Sequence, residues 1–287
     1  MKAPVFSYLQ AKSLPEVFDA LDRYGEDAKV LAGGQSLLAA LNMRLAAPRV
    51  LIDINEIAGL SGTSVANGVV RVGALTRQRE VERSPEIAKH LPLVHQAMPH
   101  IAHVAIRNRG TFGGSIVYAD PAAELPACSV ALGAQFVLAS RQGERRVPAR
   151  EFFKGFYETA LQPGEVLTAG EFPALQPGYR SVFQELARRH GDFAIVGLAA
   201  HAKFDNGCFS DARLAFFGMG AKPILVHAAA AALQKQKLSP SVVAQAQSVL
   251  DQDLEPYNDI HHSAATKLHL GRVLLGRVLG ALAKDVS

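Results

Sequence analysis

The sequence predicts an α+β protein of two domains, and three observations carry that prediction. Helical and strand-like periodicities are interleaved along the chain, without the regular βαβ alternation of a doubly wound parallel sheet. A stretch marked by Pro163-Gly164, Pro173 and Pro177-Gly178 interrupts them and sets a boundary near residue 178. The 287 residues suit two units, 1–178 and 179–287, the first divisible into about 1–60 and 61–178.

The elements follow in order. Ser13 and Glu16 have capping-box spacing, and Val17, Ala20, Leu21 and Tyr24 then line one helical face. Lys29-Val30-Leu31 reads as a strand running into Ala32-Gly33-Gly34-Gln35-Ser36. Leu37, Leu38, Leu41 and Leu45 then repeat at helical spacing until Pro48. Val50–Ile54 and Val69–Val72 read as strands around the turn-rich segment 61–68. A helix is expected over Glu86–Met98, apolar at Ile87, Leu91, Val94 and Met98 and kinked at Pro92. Ala127–Leu138 reads as buried, and its periodicity does not separate strand from helix plus strand. In the second unit, strands Ile195–Phe204 and Ala212–Phe217 flank an Asp205-Asn206-Gly207 turn. Three helices complete it, His227–Lys237, Pro240–Leu250 and Ser263–Lys284. The last should bury Leu268, Leu275, Val278 and Leu282 and keep Lys267, Arg272 and Arg277 off that face.

Composition excludes several function classes. The net charge is only +4, and the densest basic groups, Arg141/Arg145/Arg146 and Arg188/Arg189/His190, are not interleaved with aromatics. A nucleic-acid partner is therefore not expected. The two cysteines, Cys128 and Cys208, are too few for a disulfide framework, a zinc site or a four-cysteine iron–sulfur site. MKAPVFSYLQ lacks the apolar core of a secretory signal, and no stretch approaches a membrane span. A cytoplasmic protein is the expectation.

The chemistry concentrates in two glycine segments. A strand, then Gly-Gly, a polar residue, Ser and a helix suits a phosphate, because glycine lets backbone amides approach an anion. Ser36 is placed to cap the helix that follows. Thr111-Phe112-Gly113-Gly114-Ser115 repeats the pattern, so two turns with the hydroxyls of Ser36, Thr111 and Ser115 suit a cofactor with two phosphates. Neither turn supplies G-x-G-x-x-G or a Gly-Lys-Ser/Thr ending, which sets aside Rossmann and Walker phosphate sites.

AGGQSLLAALNMRL (32–45) and IRNRGTFGGSIVYADPAAELPA (106–127) resemble the two marker segments of the FAD-binding, medium subunits of the molybdenum hydroxylases. ARRHGDFAIVGLAA (187–200) and the final helix resemble the start and end of their C-terminal domain, so the likeness spans the chain. It implies a two-part FAD-binding fold of the vanillyl-alcohol oxidase type, followed by a smaller α+β domain. It places Ala32, Gly33, Gly34, Gln35, Ser36 and Leu37 with Thr111, Gly113, Gly114 and Ser115 around the FAD pyrophosphate. Lys29 and Leu31 would lie near the adenine half, Glu124 near the ribityl chain or ring, and Leu161 and Phe193 beside the ring. Gln35 stands where several relatives carry His or Thr, and Val104-Ala105 replaces a commoner Pro-Gln pair. The resemblance further implies a large subunit with a molybdenum–pterin cofactor and a small subunit with two [2Fe–2S] clusters, assembled as a dimer of heterotrimers. Electrons would pass through FAD to a quinone, oxygen, NAD or another acceptor, with no catalytic residue or metal ligand in this chain.

Other candidates read more plainly. His95, His100 and His103 do not have zinc-ligand spacing. His261-His262 suits a solvated turn or an inter-subunit contact. Neither Ser36 nor Ser115 sits in G-x-S-x-G. Asp120 and Glu124 suit structural hydrogen bonding plus one cofactor contact. Arg107 and Arg109 suit either the pyrophosphate or a partner surface. The alternatives are a stand-alone flavoprotein reductase on a related fold and a scaffold that has lost FAD.

Overall fold

The computed structural model describes residues 2–284; Met1 and residues 285–287, inside the ranges drawn above, lie outside the described residues. The first part is a three-stranded parallel sheet of β1 (Ser7–Gln10), β2 (Ala28–Leu31) and β3 (Val50–Asp53), with β3 central. Helix α1 (Leu14–Tyr24) joins β1 to β2, capped by Ser13 as its spacing predicts, with Val17, Phe18 and Ala20 buried. The second part is a five-stranded antiparallel sheet. It is built from β4 (Thr63–Ala66), β5 (Val69–Gly73), β6 (Gln135–Ser140) and β7 (Gly143–Pro148), with a short hairpin β8 (Phe153–Gly155) and β9 (Glu158–Thr159) outside it. The remaining strand, β10 (Val166–Pro173), lies between β5 and β6.

After β2 the chain enters α2 (Leu37–Asn42), which is shorter than the leucine spacing predicts. Only Leu41 is buried; Leu38 and Leu45 are exposed, and Arg44 adopts a left-handed conformation that ends the helix before Pro48. After β5 come α3 (Gln78–Arg83), α4 (Pro85–His90), α5 (Pro92–Ala97), α6 (Val104–Arg109) and α7 (Phe112–Tyr118). The helix expected over 86–98 is thus two helices. Pro92 starts the second one, because it cannot donate into the first and restrains Leu91 before it. The apolar face is retained: Ile87, Leu91, Val94 and Met98 are all buried.

The undecided apolar segment is α8 (Glu124–Leu132) followed by β6, with Gly133 in the left-handed position that ends the helix. Every residue of α8 is buried, which explains why it shows no amphipathic period. One flank packs on the first domain, through α5 and α7, and the other on the C-terminal sheet. That sheet contains β11 (Tyr179–Leu186), β12 (Val196–Asp205), β13 (Cys208–Phe217) and β14 (Ile224–Leu225) in order. Asn206-Gly207, both with positive φ, make the two-residue turn between β12 and β13. Helix α9 (Ala149–Phe152) follows β7, while α10 (His227–Leu233), α11 (Pro240–Ser248) and α12 (Ala264–Leu282) form a second core with the C-terminal sheet. The core around α8 runs from Phe112, Phe136 and Phe172 to Ala199 and Phe217, so both domains share it.

Lys267 departs from its expected place. Its side chain is 3% exposed on the inner face of α12, paired with Asp259 at 2.8 Å and 4.3 Å from the centre of the Tyr257 ring. A long apolar stem can cross a buried face when its charge meets a partner at the far end. Among the described residues no helix is long and apolar enough to cross a membrane, and no cluster of metal-ligating side chains occurs. Both cysteines are free thiols.

Candidate cofactor site

Strand β2 delivers the chain from the parallel sheet into Ala32–Ser36. Gly34 has φ +73°, a conformation side chains resist. A side-chain carbon on Gly33 would sit 2.4 Å from the carbonyl oxygen of Arg109 and 2.9 Å from Gly110 Cα. The first segment therefore lies directly against the residues entering the second. Among the described residues, the amides of 33–37 donate no hydrogen bond to the protein. Gln35 Nε2 folds back onto the Gly33 carbonyl at 3.0 Å. Ser36 does not cap α2, contrary to its expected role, so its exposed hydroxyl is left without that bond. A run of free amides is a ready cradle for an anion.

Two residues that the sequence pattern did not single out hold the cradle. Asn55, beyond β3, donates to the Ala32 carbonyl at 2.8 Å and accepts from Arg77 Nη2 at 2.8 Å. Arg77 Nη1 donates to the Arg109 carbonyl at 2.5 Å. Ala32, Asn55, Arg77 and Arg109 thus form one hydrogen-bonded clip between the segments. Arg77 stands beside Arg109, and burial with that second positive charge lowers its basicity, while Glu80 and Asp53 oppose the shift. A diphosphate fits that surplus of donors and charge.

The second segment is built differently. It is no turn but the first turn of α7, with Thr111 as its cap. Phe112 N donates to Thr76 O at 2.9 Å, Gly113 N to Ala74 O at 2.8 Å, Gly114 N to Thr111 Oγ1 at 3.0 Å, and Ser115 N to Thr111 O at 3.2 Å. The expected repetition of free amides does not occur. A side chain on Gly113 would meet Ala74 Cα at 2.8 Å, and one on Gly114 would meet Thr111 Oγ1 at 2.7 Å. These glycines allow close packing, and the segment offers the hydroxyl of half-buried Ser115, whereas Thr111, expected beside the pyrophosphate, is 2% exposed and its hydroxyl caps Gly114 N.

Arg107 takes neither of its expected roles. It is buried, with Nε at 3.0 Å from Glu82 Oε2 and Nη1 at 2.7 Å from the Ile101 carbonyl. Arg109 is exposed and contributes its carbonyl to the clip. Of the remaining predicted residues, Lys29 is exposed on β2, and Leu31 and Leu37 are half-buried around the cradle. Leu161 packs partly buried against the first-domain core.

A cavity of about 240 Å³ opens where the two domains meet. Asp120, Tyr157, Phe193, Tyr257 and Lys267 line it, and Phe193 is 74% exposed. Neither Glu124 nor Leu161 lines it, although Glu124 begins α8 just after the Asp120–Ala122 wall. Burial raises the Asp120 carboxyl, and burial beside Asp120 pushes the Tyr157 phenol up to about 12. His261, exposed, and His262, half-buried, form a turn at the rim of this cavity, their amides donating to Asp259 Oδ1 at 2.7 and 2.8 Å. Glu124 is almost fully buried, and burial, reinforced by Glu185 and Asp120, pushes its carboxyl up to about 8.

Residues 4–175 match the family described as the FAD binding domain in molybdopterin dehydrogenase, and residues 181–282 the CO dehydrogenase flavoprotein C-terminal domain. The chain belongs to the FAD-binding subunits of the molybdenum hydroxylases. Such a flavoprotein subunit is an oxidoreductase component, and the C-terminal match decides against the stand-alone reductase. It is 38% identical to the 6-hydroxypseudooxynicotine dehydrogenase complex subunit alpha of Paenarthrobacter nicotinovorans, over 97% of this chain and 95% of that one. It is 34% identical to the carbon monoxide dehydrogenase medium chain of Hydrogenophaga pseudoflava over 98% of both. Its fold superposes with a TM-score of 0.95 on quinoline 2-oxidoreductase from Pseudomonas putida 86, at 37% identity and covering 100% and 99% of the two chains.

Proposed function

We propose that this chain is the electron-transfer flavoprotein of a heteromeric molybdenum hydroxylase. A small partner with two [2Fe–2S] clusters would supply electrons, and a large molybdenum–pterin partner would carry the substrate chemistry. The assembly would be a cytoplasmic dimer of heterotrimers, passing electrons to a quinone, oxygen, NAD or another acceptor. The observation that carries this reading is the run of free amides at 33–37, braced against the second segment in a chain of this family.

When bound, FAD accepts electrons singly or in pairs and so joins one-electron carriers to a two-electron acceptor. The protein's part is binding and electrostatics. Amides 33–37 and the hydroxyls of Ser36 and Ser115 would hold the pyrophosphate, with Thr111 positioning Ser115 as the cap of α7 and Arg77 and Arg109 supplying positive charge. Lys29 and Leu31 flank the adenine half. Glu124 and Leu161 stand on the ring side, and Phe193 offers an exposed aromatic face beside the inter-domain cavity. Phe156, Tyr157 and Tyr257 border the same cavity and restrict water there.

The test is purification of the complex with its neighbours. Stoichiometric FAD on this chain, with iron–sulfur clusters and molybdenum on two others, is expected. A colourless chain that takes up no added FAD would refute the reading. FAD on this chain with no iron–sulfur or molybdenum partner co-purifying would overturn the heteromeric part of the reading.

A further inference from the structure

The cradle at 33–37 suits an anion and leaves a buried cation on the inter-domain cavity without a task. Lys267 is 3% exposed and lines that cavity, with Nζ 2.8 Å from Asp259 Oδ2 and 4.3 Å from the centre of the Tyr257 ring. A lysine keeps its charge in the interior only when partners hold it there. Asp259 is such a partner, because Lys267 and the amides of His261 and His262 hold its carboxyl well below the usual carboxylate range. An ammonium has three protons to donate. Asp259 and the Tyr257 face engage this one on two sides, and among the described residues no other acceptor does. A donor is left for whatever enters the cavity.

The rest of the wall is aromatic and apolar. Phe156, at the tip of the β8–β9 hairpin, meets Tyr257 edge to face at 5.2 Å, and Phe193 stands elsewhere on the wall with Ala194 and Ile195. Such a wall suits a flat ring. The cavity measures about 240 Å³, room for a small ring system but not for a dinucleotide. Nor does it suit a dinucleotide's phosphates. Among the described residues no arginine lines it, and its single glycine, Gly218, gives its amide to the Pro121 carbonyl at 2.9 Å. Asp120 and Asp259 set two carboxyls against one ammonium, with His261 and His262 at the rim. The glycine run and positive charge of the cradle have no counterpart here. Helix α7 links the two places: Thr111 caps it on the cradle side, and Asp120 follows its other end, about 10 Å along a seven-residue helix.

We propose that this cavity binds the ring of a quinone and is where the chain hands over its electrons, with Lys267 Nζ donating to one carbonyl oxygen. Its acceptor role rests on the reading of the chain as an FAD subunit. A quinone has a flat apolar body for the aromatic wall and carbonyl oxygens that need a donor. It gains two electrons and two protons and leaves as the hydroquinone, while the reduced cofactor gives up the same two electrons and two protons. A fixed ammonium placed where negative charge develops favours that change.

The test is calorimetric titration of the full chain loaded with FAD, using duroquinone, whose ring carbons are all blocked against thiols. One duroquinone per chain should bind saturably, and NAD should not displace it. Lys267→Met should weaken binding about tenfold or more with flavin content full. Phe156→Ala, at a half-exposed hairpin tip where folding is not at risk, should weaken it about threefold. Where Lys267→Met fails to fold, Phe156→Ala decides alone. After reduction with one equivalent of dithionite, wild type should regain its oxidised flavin spectrum at a rate that saturates with duroquinone. No duroquinone on the flavin-loaded chain, displacement by NAD, binding only to the flavin-free chain, or full affinity in the variants would overturn the site and leave FAD binding intact. Failure of the wild-type chain to take up flavin would overturn the FAD reading, whether or not duroquinone binds.

Discussion

The two glycine segments share a letter pattern and differ in what their backbones do. AGGQS leaves its amides without acceptors, and TFGGS closes every amide from 112 to 115 onto the protein. In the first, Gly34 is needed for its backbone conformation and Gly33 for contact with Arg109. In the second, both glycines are helical and make room for Ala74 and Thr111. The residues 33–37 are half-buried or exposed, so their free amides at the start of a helix are open to a ligand. On the proposed reading, the first segment would bind and the second build. Faults in the first should appear as lost affinity, and faults in the second as lost stability.

The largest expected effect lies on the building side, where α7 leads into α8. Glu124 is pushed from its ordinary 4.5 up to about 8, chiefly by burial. The folded chain therefore holds a proton that the unfolded chain has released. Its contribution to stability is fully present below about pH 4.5, falls as pH rises, and levels off above about pH 8. At about 1.4 kcal/mol per unit the loss is on the order of 5 kcal/mol. Urea unfolding of the cofactor-free chain from pH 5 to 9 should show this decline, and Glu124→Gln should flatten it. A pH-independent wild type would remove the buried acid from the account.

Next comes Gly113→Ala. The added carbon enters the Ala74 backbone, which cannot rotate away, and a loss of about 1–3 kcal/mol is expected from overpacking. Gly34→Ala supplies the contrast. It strains φ by about 1–2 kcal/mol at most and reaches only flexible leucine side chains. Its main effect should be a tenfold or greater weakening of FAD binding in a flavin fluorescence titration. The reverse ranking would break the comparison.

Much of this could be read from the sequence, and what escaped has physical causes. Ser13 capping, strands β2 and β3 and the Asn206-Gly207 hairpin are local features, so short-range patterns reveal them. Helix α8 escaped because burial on all sides erases the amphipathic period. Lys267 was misplaced because its charge and its stem obey different rules, and only the fold brings Asp259 to it. Asn55 and Arg77 escaped because their hydrogen bonds cross 22–32 residues of chain. The two glycine pairs could be found but not told apart, since donor satisfaction depends on Ala74 and Thr76 from another element.

Arg77→Ala tests the clip between the segments. It removes a partly buried guanidinium and leaves Asn55 Oδ1 and the Arg109 carbonyl without their donor. A stability loss of about 1–3 kcal/mol and weaker FAD binding should appear together, because this residue serves both sides. Arg77→Lys keeps the charge but cannot span both acceptors, so it should recover affinity only in part.

The smallest effect is the sharpest discriminator. Ser36 and Ser115 occupy matching places in the two patterns, and among the described residues neither hydroxyl has a hydrogen-bond partner. Replacing either with Ala should leave the cofactor-free chain within about 0.5 kcal/mol of wild type, as expected for a side chain without a protein partner. Ser115→Ala removes the main contact its segment has to offer and should cost about 1 kcal/mol of FAD binding, roughly fivefold in affinity. Ser36→Ala should cost less, because the amides of 33–37 remain to hold the same phosphate. Equal losses at both serines would mean that the amides of the first segment carry no more of the anion than the hydroxyls of the second.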